Sequence, residues 1–307
     1  MTCRVYLAPM AGVADETMRR ISAGYGHFLP FTEMISAKAL HYNDKKTALL
    51  FPSDFEGKMI VQIFGHEPDI MAEGAKKVAP YATEININMG CPMPKIANNG
   101  DGSALMADPE RAAEIVSAVK EAVSLPVSVK FRKGIESDTA ADFARVLERA
   151  GADRLYIHGR TKKELYSGKA DLDTIKSVVS AVNVPVTGNG DIFSFADADN
   201  MIKKTGCESV MVGRGALGNP FIFRELDLMG DCAPPSVSER LIAAADHLAL
   251  AVKLKGERRG VTESRKHIAW YLKSIPGAAK IRAELFTETD PEKIKALIAT
   301  LKKENDI

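Results

Sequence analysis

The feature that most constrains the fold of this chain is a regular alternation of short apolar segments with amphipathic helical patterns, which continues through about residue 230. Short apolar runs predict β-strands, whereas apolar residues spaced three and four positions apart predict helices. The eight predicted strands cover residues 5–10, 31–36, 59–64, 84–89, 126–132, 154–159, 184–188 and 209–213. Eight strand–helix units in this length predict an α/β fold of the (β/α)8 TIM-barrel type.

An open, doubly wound sheet is the alternative arrangement for alternating strands and helices. Residues 213–218 read Gly-Arg-Gly-Ala-Leu-Gly and match the dinucleotide-binding pattern GxGxxG in form. That pattern requires a further strand after its helix and an acidic residue about 20 positions on. Here it follows the last predicted strand, and only helical patterns come after it, so we favour the barrel.

The last part of the chain is predicted to be entirely helical. Ser236 and Glu239 have the spacing of a capping box at a helix start. An apolar stripe is predicted to face inward from the helix that follows, formed by Leu241, Ile242, Ala245, Leu248, Ala249 and Val252. We therefore predict two domains, a barrel over residues 1–234 and a small all-helical C-terminal domain over residues 235–307.

Charge is distributed unevenly in a chain whose net charge is only +1. Residues 253–282 contain nine Lys and Arg but only two acidic residues. A basic surface of this kind is typical of nucleic-acid binding, with an ordinary solvated helix face as the alternative.

Cysteine usage and hydropathy indicate a cytoplasmic protein. The four cysteines, Cys3, Cys91, Cys207 and Cys232, have neither CxxC nor metal-ligand spacing, and their density does not indicate a disulfide framework. The chain shows no signal-peptide pattern and no apolar run of about 18 residues. We expect a monomer with no metal and no membrane association.

Residues 84–94 form the most distinctive segment. Ile85, Ile87 and Met89 alternate with polar residues, which predicts a strand with one polar face. Gly90 and the prolines that follow end this strand, so Cys91 is predicted to lie in a rigid loop just past the strand's C-terminal end. The alternative is that Cys91 is a small buried apolar residue, as isolated cysteines often are.

Polar residues also gather at the ends of the later strands, where a barrel places its site. In the fifth strand, alternation places Lys130 and Arg132 on the inward face if Val127 and Val129 pack on the helices, and a buried cation requires an anionic partner. The alternative is that Lys130 lies at the rim and extends into solvent. Glycine-containing turns at 188–191 and 213–215 follow the seventh and eighth strands, the usual phosphate site of this fold. Together these features predict a phosphorylated cofactor whose reactive part faces Cys91.

At this point the chain resembles the tRNA-dihydrouridine synthases, most closely their B-type branch, over nearly its whole length. The matching motifs are Leu-Ala-Pro-Met-Ala-Gly at 7–12, Thr-Glu-Met-Ile-Ser-Ala-Lys at 32–38, Val-Gln-Ile-Phe-Gly at 61–65, Asn-Ile-Asn-Met-Gly-Cys-Pro at 86–92, Val-Lys at 129–130, Arg-Lys-Gly at 132–134, His-Gly-Arg-Thr at 158–161, Gly-Asn-Gly-Asp at 188–191, Val-Gly-Arg at 212–214, Arg-Lys-His at 265–267 and Trp-Tyr-Leu-Lys at 270–273.

The resemblance implies FMN as cofactor, with NADPH, or NADH in its place, as reductant. It also implies hydride transfer from reduced flavin to C6 of a tRNA uracil, with Cys91 giving a proton to C5. The positions that face the uracil are implied to be Asn88, Arg132 and Arg160. The positions implied to hold FMN are Pro9, Met10, Ala11, Gln62, Lys130, His158, Asn189, Gly190, Asp191, Gly213 and Arg214.

One position departs from the family pattern, since Asp101 stands where a small residue is expected. It follows Cys91 in the chain, close to the expected path of the RNA, so we predict an effect on loop closure or on tRNA choice. Two other functions compete with the first. One is a flavin barrel acting on a small pyrimidine, of the dihydroorotate or dihydropyrimidine dehydrogenase type, and the other is a non-catalytic RNA-binding protein.

Overall fold

The computed structural model describes residues 4–304, so Cys3 lies outside the described residues. Within this range eight parallel strands form one sheet. The strands are β1 (Arg4–Leu7), β2 (Ile35–Ser36), β3 (Met59–Phe64), β4 (Ala82–Met89), β5 (Val127–Arg132), β6 (Arg154–His158), β7 (Val186–Asn189) and β8 (Ser209–Val212). Their order, β1-β8-β7-β6-β5-β4-β3-β2, places sequence neighbours side by side. This order, with helices between the strands, is that of the predicted (β/α)8 barrel.

Thirteen α-helices lie within the described residues. They are α1 (Glu16–Ala23), α2 (Ala37–His41), α3 (Pro68–Val78), α4 (Pro94–Ala97), α5 (Pro109–Ala122), α6 (Ala140–Arg149), α7 (Leu172–Ala181), α8 (Phe195–Thr205), α9 (Ile222–Asp227), α10 (Val237–Lys255), α11 (Glu257–Tyr271), α12 (Ala278–Leu285) and α13 (Pro291–Glu304). None of these helices, over residues 4–304, is long and apolar enough to cross a membrane.

Residues 29–32 complete the barrel between β1 and β3. The Leu29 N–H donates to the carbonyl of Val5 at 2.8 Å, and the Thr32 N–H donates to the carbonyl of Ile60 at 3.0 Å. The second strand, predicted over residues 31–36, is therefore two short pieces rather than one. It ends at Ser36 because this side chain caps α2, accepting from the Ala39 N–H at 3.2 Å.

The chain divides into two compact units, one of residues 4–14 and 28–213 and the other of residues 15–27 and 214–304. This division falls after Gly213 rather than at the predicted residue 234, because Phe221 is buried in the core of the helical unit. The N-terminal helix α1 also belongs to that unit, where Asp15 is paired with Lys255 of α10. That residues 235–307 act as the tRNA-binding domain stays a prediction.

Helix α10 shows the predicted capping box, with Ser236 and Glu239 each accepting from the other's backbone N–H. Its predicted apolar stripe is partly wrong. Ile242 is 50% exposed, whereas His247 is buried. The helix is rotated from the predicted orientation because His247 stacks on His267 of α11, with ring centroids 4.4 Å apart.

Candidate active site

The loop that carries Cys91 is anchored by the last polar residue of β4. The side-chain carbonyl of Asn88 accepts from the Gly90 N–H at 3.1 Å and from the Cys91 N–H at 2.9 Å. Because one side-chain acceptor holds both of these backbone N–H groups, the chain makes a local turn here and the strand ends at Met89. Cys91 is half-buried just past the C-terminal end of β4, as the sequence predicts.

Polar side chains continue from Asn88 across the barrel interior. Asn88 Nδ2 donates to Gln62 Oε1 at 2.8 Å, and Gln62 Nε2 donates to Asn86 Oδ1 at 2.7 Å. Asn86 Nδ2 in turn donates to Ser128 Oγ at 2.8 Å, and the Ser128 hydroxyl donates to Glu84. Gln62, Asn86 and Ser128 lie in register on β3, β4 and β5. The polar face predicted for β4 is therefore a continuous hydrogen-bonded chain.

Lys130 lies beside Asn88 in the β4–β5 register, on the inward face of β5. Its Nζ donates to Asn189 Oδ1 at 3.1 Å, and over residues 4–304 it has no carboxylate partner. Burial lowers the pKa of Lys130 to about 7, and the neighbouring Arg132 adds to the lowering. A cation held this way is unfavourable unless an anion is bound beside it.

The thiol of Cys91 is kept in its protonated form by its surroundings. Burial raises the pKa of Cys91 above its ordinary value. A hydrogen bond from the Met93 backbone and the charges of Arg132 and Lys130 act in the opposite direction and lower that pKa in part. At neutral pH the group can therefore give up a proton, and the two cations are placed to stabilise the thiolate that remains.

Arg132 joins the Cys91 loop to the loop after β6. Its Nε donates to the Gly90 carbonyl at 2.8 Å, and its Nη1 donates to the carbonyls of Thr161 at 3.1 Å and Leu165 at 3.0 Å. The guanidinium also lies 5.7 Å from the ring centroid of Tyr166. Tyr166 is 54% exposed.

Sequence reasoning missed Tyr166. The signal available was an aromatic residue in a polar segment, directly before Ser-Gly. Such a residue at the mouth of a barrel can stack against a planar ligand.

Arg160 is almost fully enclosed, with 1% of its surface exposed. Its guanidinium donates to the carbonyls of Ser167 at 2.9 Å and Gly168 at 2.7 Å, and to Asp191 Oδ2 at 2.5 Å. Asp191 also accepts from the Ala170 N–H at 2.8 Å. These bonds hold the loops after β6 and β7 together. Contact between Arg160 and uracil stays a prediction, and its many carbonyl partners favour a positioning role.

The turn after β7 requires glycine at position 190. Gly190 has φ +130°, and a Cβ there would lie 2.5 Å from the Cβ of Ala170 and 3.1 Å from the ring of His158. His158 is buried next to it, and Asn189 donates from Nδ2 to the Met211 carbonyl at 2.8 Å. The turn therefore lies tight against β6 and β8, with its backbone at the mouth of the barrel.

The turn after β1 lies beside the end of β8, because the Ala8 N–H donates to the Val212 carbonyl at 2.8 Å. The predicted cofactor positions on this turn differ in exposure: Pro9 and Met10 are half-buried, and Ala11 is exposed. A Cβ on Gly213 would meet only the Cβ of Ala8, at 3.7 Å. Arg214 begins the second unit, and its assignment to the cofactor stays a prediction.

Asp101 is buried, and its carboxylate is 2.7 Å from Nδ1 of His66 at the end of β3. The next residues pack directly on the Cys91 loop. A Cβ on Gly102 would lie 3.0 Å from the carbonyl oxygen of Cys91, and the Ser103 N–H donates to that oxygen at 3.1 Å. The Asp101 carboxylate thus makes an intramolecular contact beside the Cys91 loop, and its effect on loop closure or on tRNA choice stays a prediction.

An anionic, phosphorylated cofactor such as FMN fits these residues. Lys130 supplies a positive charge without a carboxylate partner among residues 4–304, and the turns at Gly190 and Gly213 bring backbone close to the barrel mouth. Within the same residues there is no group of three or more His, Cys, Asp and Glu side chains that could hold a metal ion.

Known proteins resemble this chain over most of its length. The family model described as dihydrouridine synthase matches residues 6–305. A probable tRNA-dihydrouridine synthase of Rickettsia conorii is 37% identical, over 97% of this chain and 93% of that protein. Probable tRNA-dihydrouridine synthase 1 of Synechocystis is 39% identical, over 96% of this chain and 85% of that protein. The tRNA-dihydrouridine synthase B of Pseudomonas aeruginosa is 39% identical, over 92% and 87%.

Proposed function

Because the chain belongs to the dihydrouridine synthase family, we propose that it reduces specific uridines of tRNA to 5,6-dihydrouridine, acting as a cytoplasmic monomer. The observation that carries this proposal is the thiol of Cys91. Burial keeps it protonated, Asn88 fixes its loop, and the cations Lys130 and Arg132 lie close enough to act on its charge.

The cofactor proposed is FMN, with NADPH, or NADH in its place, as reductant. FMN, once bound and reduced, supplies the hydride that C6 of uracil receives. Lys130 and Asn189 would hold it from β5 and β7, and Gln62 from β3. The remaining positions proposed to bind it are Pro9, Met10, Ala11, His158, Gly190, Asp191, Gly213 and Arg214. Lys130 suits this role because it has no carboxylate partner of its own among residues 4–304.

Cys91 is proposed to protonate C5 of the uracil. Proton donation leaves a thiolate, which Arg132 and Lys130 stabilise and which solvent then reprotonates. Arg132 and Asn88 are proposed to face the base, with Tyr166 as a surface against which it can stack. Because the target base must leave the folded RNA, these contacts have to offset an extrusion cost of a few kcal/mol.

The helical unit is proposed to bind the tRNA backbone through part of its basic segment. Lys255, Arg259 and Arg265 are engaged within the unit, the first two with Glu263 and the third with backbone carbonyls. The cations proposed to contact the RNA phosphates are those that are exposed and not described above, namely Lys253, Arg258, Lys273 and Lys280.

The Cys91 assignment is tested by single-turnover assays with unmodified tRNA and pre-reduced flavin. Cys91→Ala should keep the cofactor and its reduction by NADPH, but lower the rate of dihydrouridine formation by about 10²–10⁴-fold, the usual contribution of a general acid. Cys91→Ser should also be slow, because a hydroxyl is a much weaker acid. A rate for Cys91→Ala close to that of the unaltered protein would show that Cys91 is not the acid.

The tRNA surface is tested by the salt dependence of binding. Substituting Lys273 and Lys280 by Gln should lower the slope of log K against log salt by about 1 for each phosphate that no longer pairs with a lysine. The matched control is the same pair of changes at Lys176 and Lys204, which are exposed on α7 and α8 of the barrel. If the two double variants show the same slope of log K against log salt, the basic segment is an ordinary solvated face. That result would favour a small pyrimidine as substrate.

A further inference from the structure

The hydrogen-bonded chain in the barrel interior has a single direction. At its upper end Asn88 Oδ1 accepts two backbone N–H groups, so the other amide atom, Nδ2, has to be the donor to Gln62. The amide of Gln62 then presents its NH2 to Asn86 Oδ1, and the amide of Asn86 presents its NH2 to Ser128. Each acceptor fixes the next donor, because an amide has one oxygen and one nitrogen.

The lower end of the chain is Glu84. The hydroxyl of Ser128 accepts from Asn86 and therefore donates its own proton onward, to Glu84 Oε1. The Tyr156 hydroxyl donates to the same oxygen at 3.0 Å. A carboxylate accepts without offering a donor, so Glu84 is the group that terminates the chain.

We propose that Glu84 is a positioning residue. As the terminal acceptor it favours, through Ser128, Asn86 and Gln62, the same direction of the chain that the N–H groups of Gly90 and Cys91 require at the other end, and so it stabilises the orientation of the Asn88 amide that holds the Cys91 loop. Glu84 lies two residues below Asn86 and four below Asn88 on the same strand, so it acts on Cys91 without touching it.

The physical reason is the cost of the reversed chain. Without an acceptor at position 84, the present direction leaves the Ser128 hydroxyl proton without its acceptor, whereas the reversed direction lets it donate back to Asn86. The reversed chain then becomes less unfavourable, and the amides above Ser128 turn over more often. A turned Asn88 amide would place its NH2 against the N–H groups of Gly90 and Cys91. Donor facing donor loses both of these hydrogen bonds in a largely buried site, and the loop is then held less firmly, by the bonds of Arg132 to the Gly90 carbonyl and of Ser103 to the Cys91 carbonyl.

The test uses three side chains of similar size at position 84. Glu84→Met removes the acceptor, whereas Glu84→Gln keeps one carbonyl oxygen as acceptor and replaces the other, charged oxygen by an NH2 group. We expect Glu84→Met to raise the rate of Cys91 alkylation by iodoacetamide about tenfold, the equivalent of about 1.4 kcal/mol. Glu84→Gln should stay within about twofold of the unaltered protein. Peptide mass spectrometry reads Cys91 directly, with half-buried Cys232 as internal reference.

Ser128→Ala interrupts the same chain one link higher and tests the inference independently if Glu84→Met does not fold. It should reproduce the faster alkylation, and adding Glu84→Met to it should have no further effect. Tyr156→Phe is the matched control, because it removes a hydrogen bond to Glu84 without breaking the chain. Its alkylation rate should be unchanged.

The kinetic arm rests on the proposed function. Glu84→Met and Ser128→Ala should lower kcat for dihydrouridine formation about tenfold with KM for tRNA unchanged, since the loop and not the RNA surface is affected. If the unaltered protein forms no dihydrouridine, the proposed function fails while the alkylation arm still decides the role of Glu84. Equal alkylation rates in Glu84→Met and Glu84→Gln, or additive effects with Ser128→Ala, would overturn the inference.

Discussion

Lys130 gives the sharpest prediction, because its protonation has to change when an anionic cofactor binds. In the protein without ligand its pKa is lowered to about 7 by burial, with the charge of Arg132 adding to the effect. An anion placed next to Nζ favours the charged form and moves that pKa back toward its ordinary value. Binding of FMN above pH 7 is therefore expected to take up a proton, which Lys130→Met cannot do.

The magnitude follows from the fraction of Lys130 that is already charged. With a pKa of about 7, roughly one tenth of Lys130 is protonated at pH 8 and roughly one hundredth at pH 9. Binding should then take up about 0.9 proton at pH 8. The affinity for FMN should fall about 50-fold between pH 7 and pH 9, a difference of about 2.3 kcal/mol.

Proton uptake is measured by titration calorimetry of FMN into the cofactor-free protein at pH 8, in buffers of different ionisation enthalpy. The matched control is Lys133→Met, which removes a lysine whose Nζ is already paired with Asp171 at 2.6 Å. Lys133→Met should keep the proton uptake, whereas Lys130→Met should lose it and show a nearly flat affinity from pH 7 to pH 9. Uptake close to zero in the unaltered protein, or equal uptake in both variants, would refute this account of Lys130.

Two further predictions concern the helical unit and the Cys91 loop. Burial lowers the pKa of His247 to about 4 and that of His267 well below its ordinary value, so the unfolded chain binds more protons below pH 6.5. The free energy of unfolding should be highest above pH 6.5 and fall toward pH 4, with His247 alone costing about 2 kcal/mol at pH 5. In thermal unfolding, His247→Phe should make stability depend less on pH. An unchanged pH dependence in this variant would contradict the prediction. The Asp101 contact with His66 is expected to hold residues 102 and 103 against the Cys91 loop. Asp101→Ala removes this contact and should speed hydrogen exchange at the Ser103 amide about fivefold, whereas Asp101→Asn keeps an acceptor and should not. Similar exchange in both variants would show that the contact with His66 does not hold these residues.

Features with a local origin were correctly predicted from the sequence. All the strands except the second follow from short apolar segments, and the starts of helices such as α5 and α10 follow from capping residues beside them in the chain. The inward position of Lys130 follows from the two-residue period of β5. In each case the deciding interaction lies within a few residues, so the order of residues contains it.

Parts of the fold that depend on distant partners were predicted less well. The strand expected over residues 31–36 is interrupted, because residues 29–32 bond to β1 and β3 while Ser36 already caps the next helix. Helix α10 is rotated from the stripe predicted for it, because His247 finds His267 as a stacking partner. Hydropathy would place Ile242 inward, yet this residue is 50% exposed, because tertiary packing and not hydropathy alone decides which face of the helix is covered.

In the candidate site, the sequence by itself determined the residue types that lie at the strand ends: a thiol after β4, cations on β5 and glycine turns after β7 and β8. Strand periodicity and turn chemistry are local, so they fix this much. Only the tertiary structure decided how these residues are connected: Tyr166 beside Arg132, Asp101 on His66, and one chain of donors from Asn88 to Glu84. These pairings depend on strand register and on the paths of loops, which bring together residues that no local pattern relates.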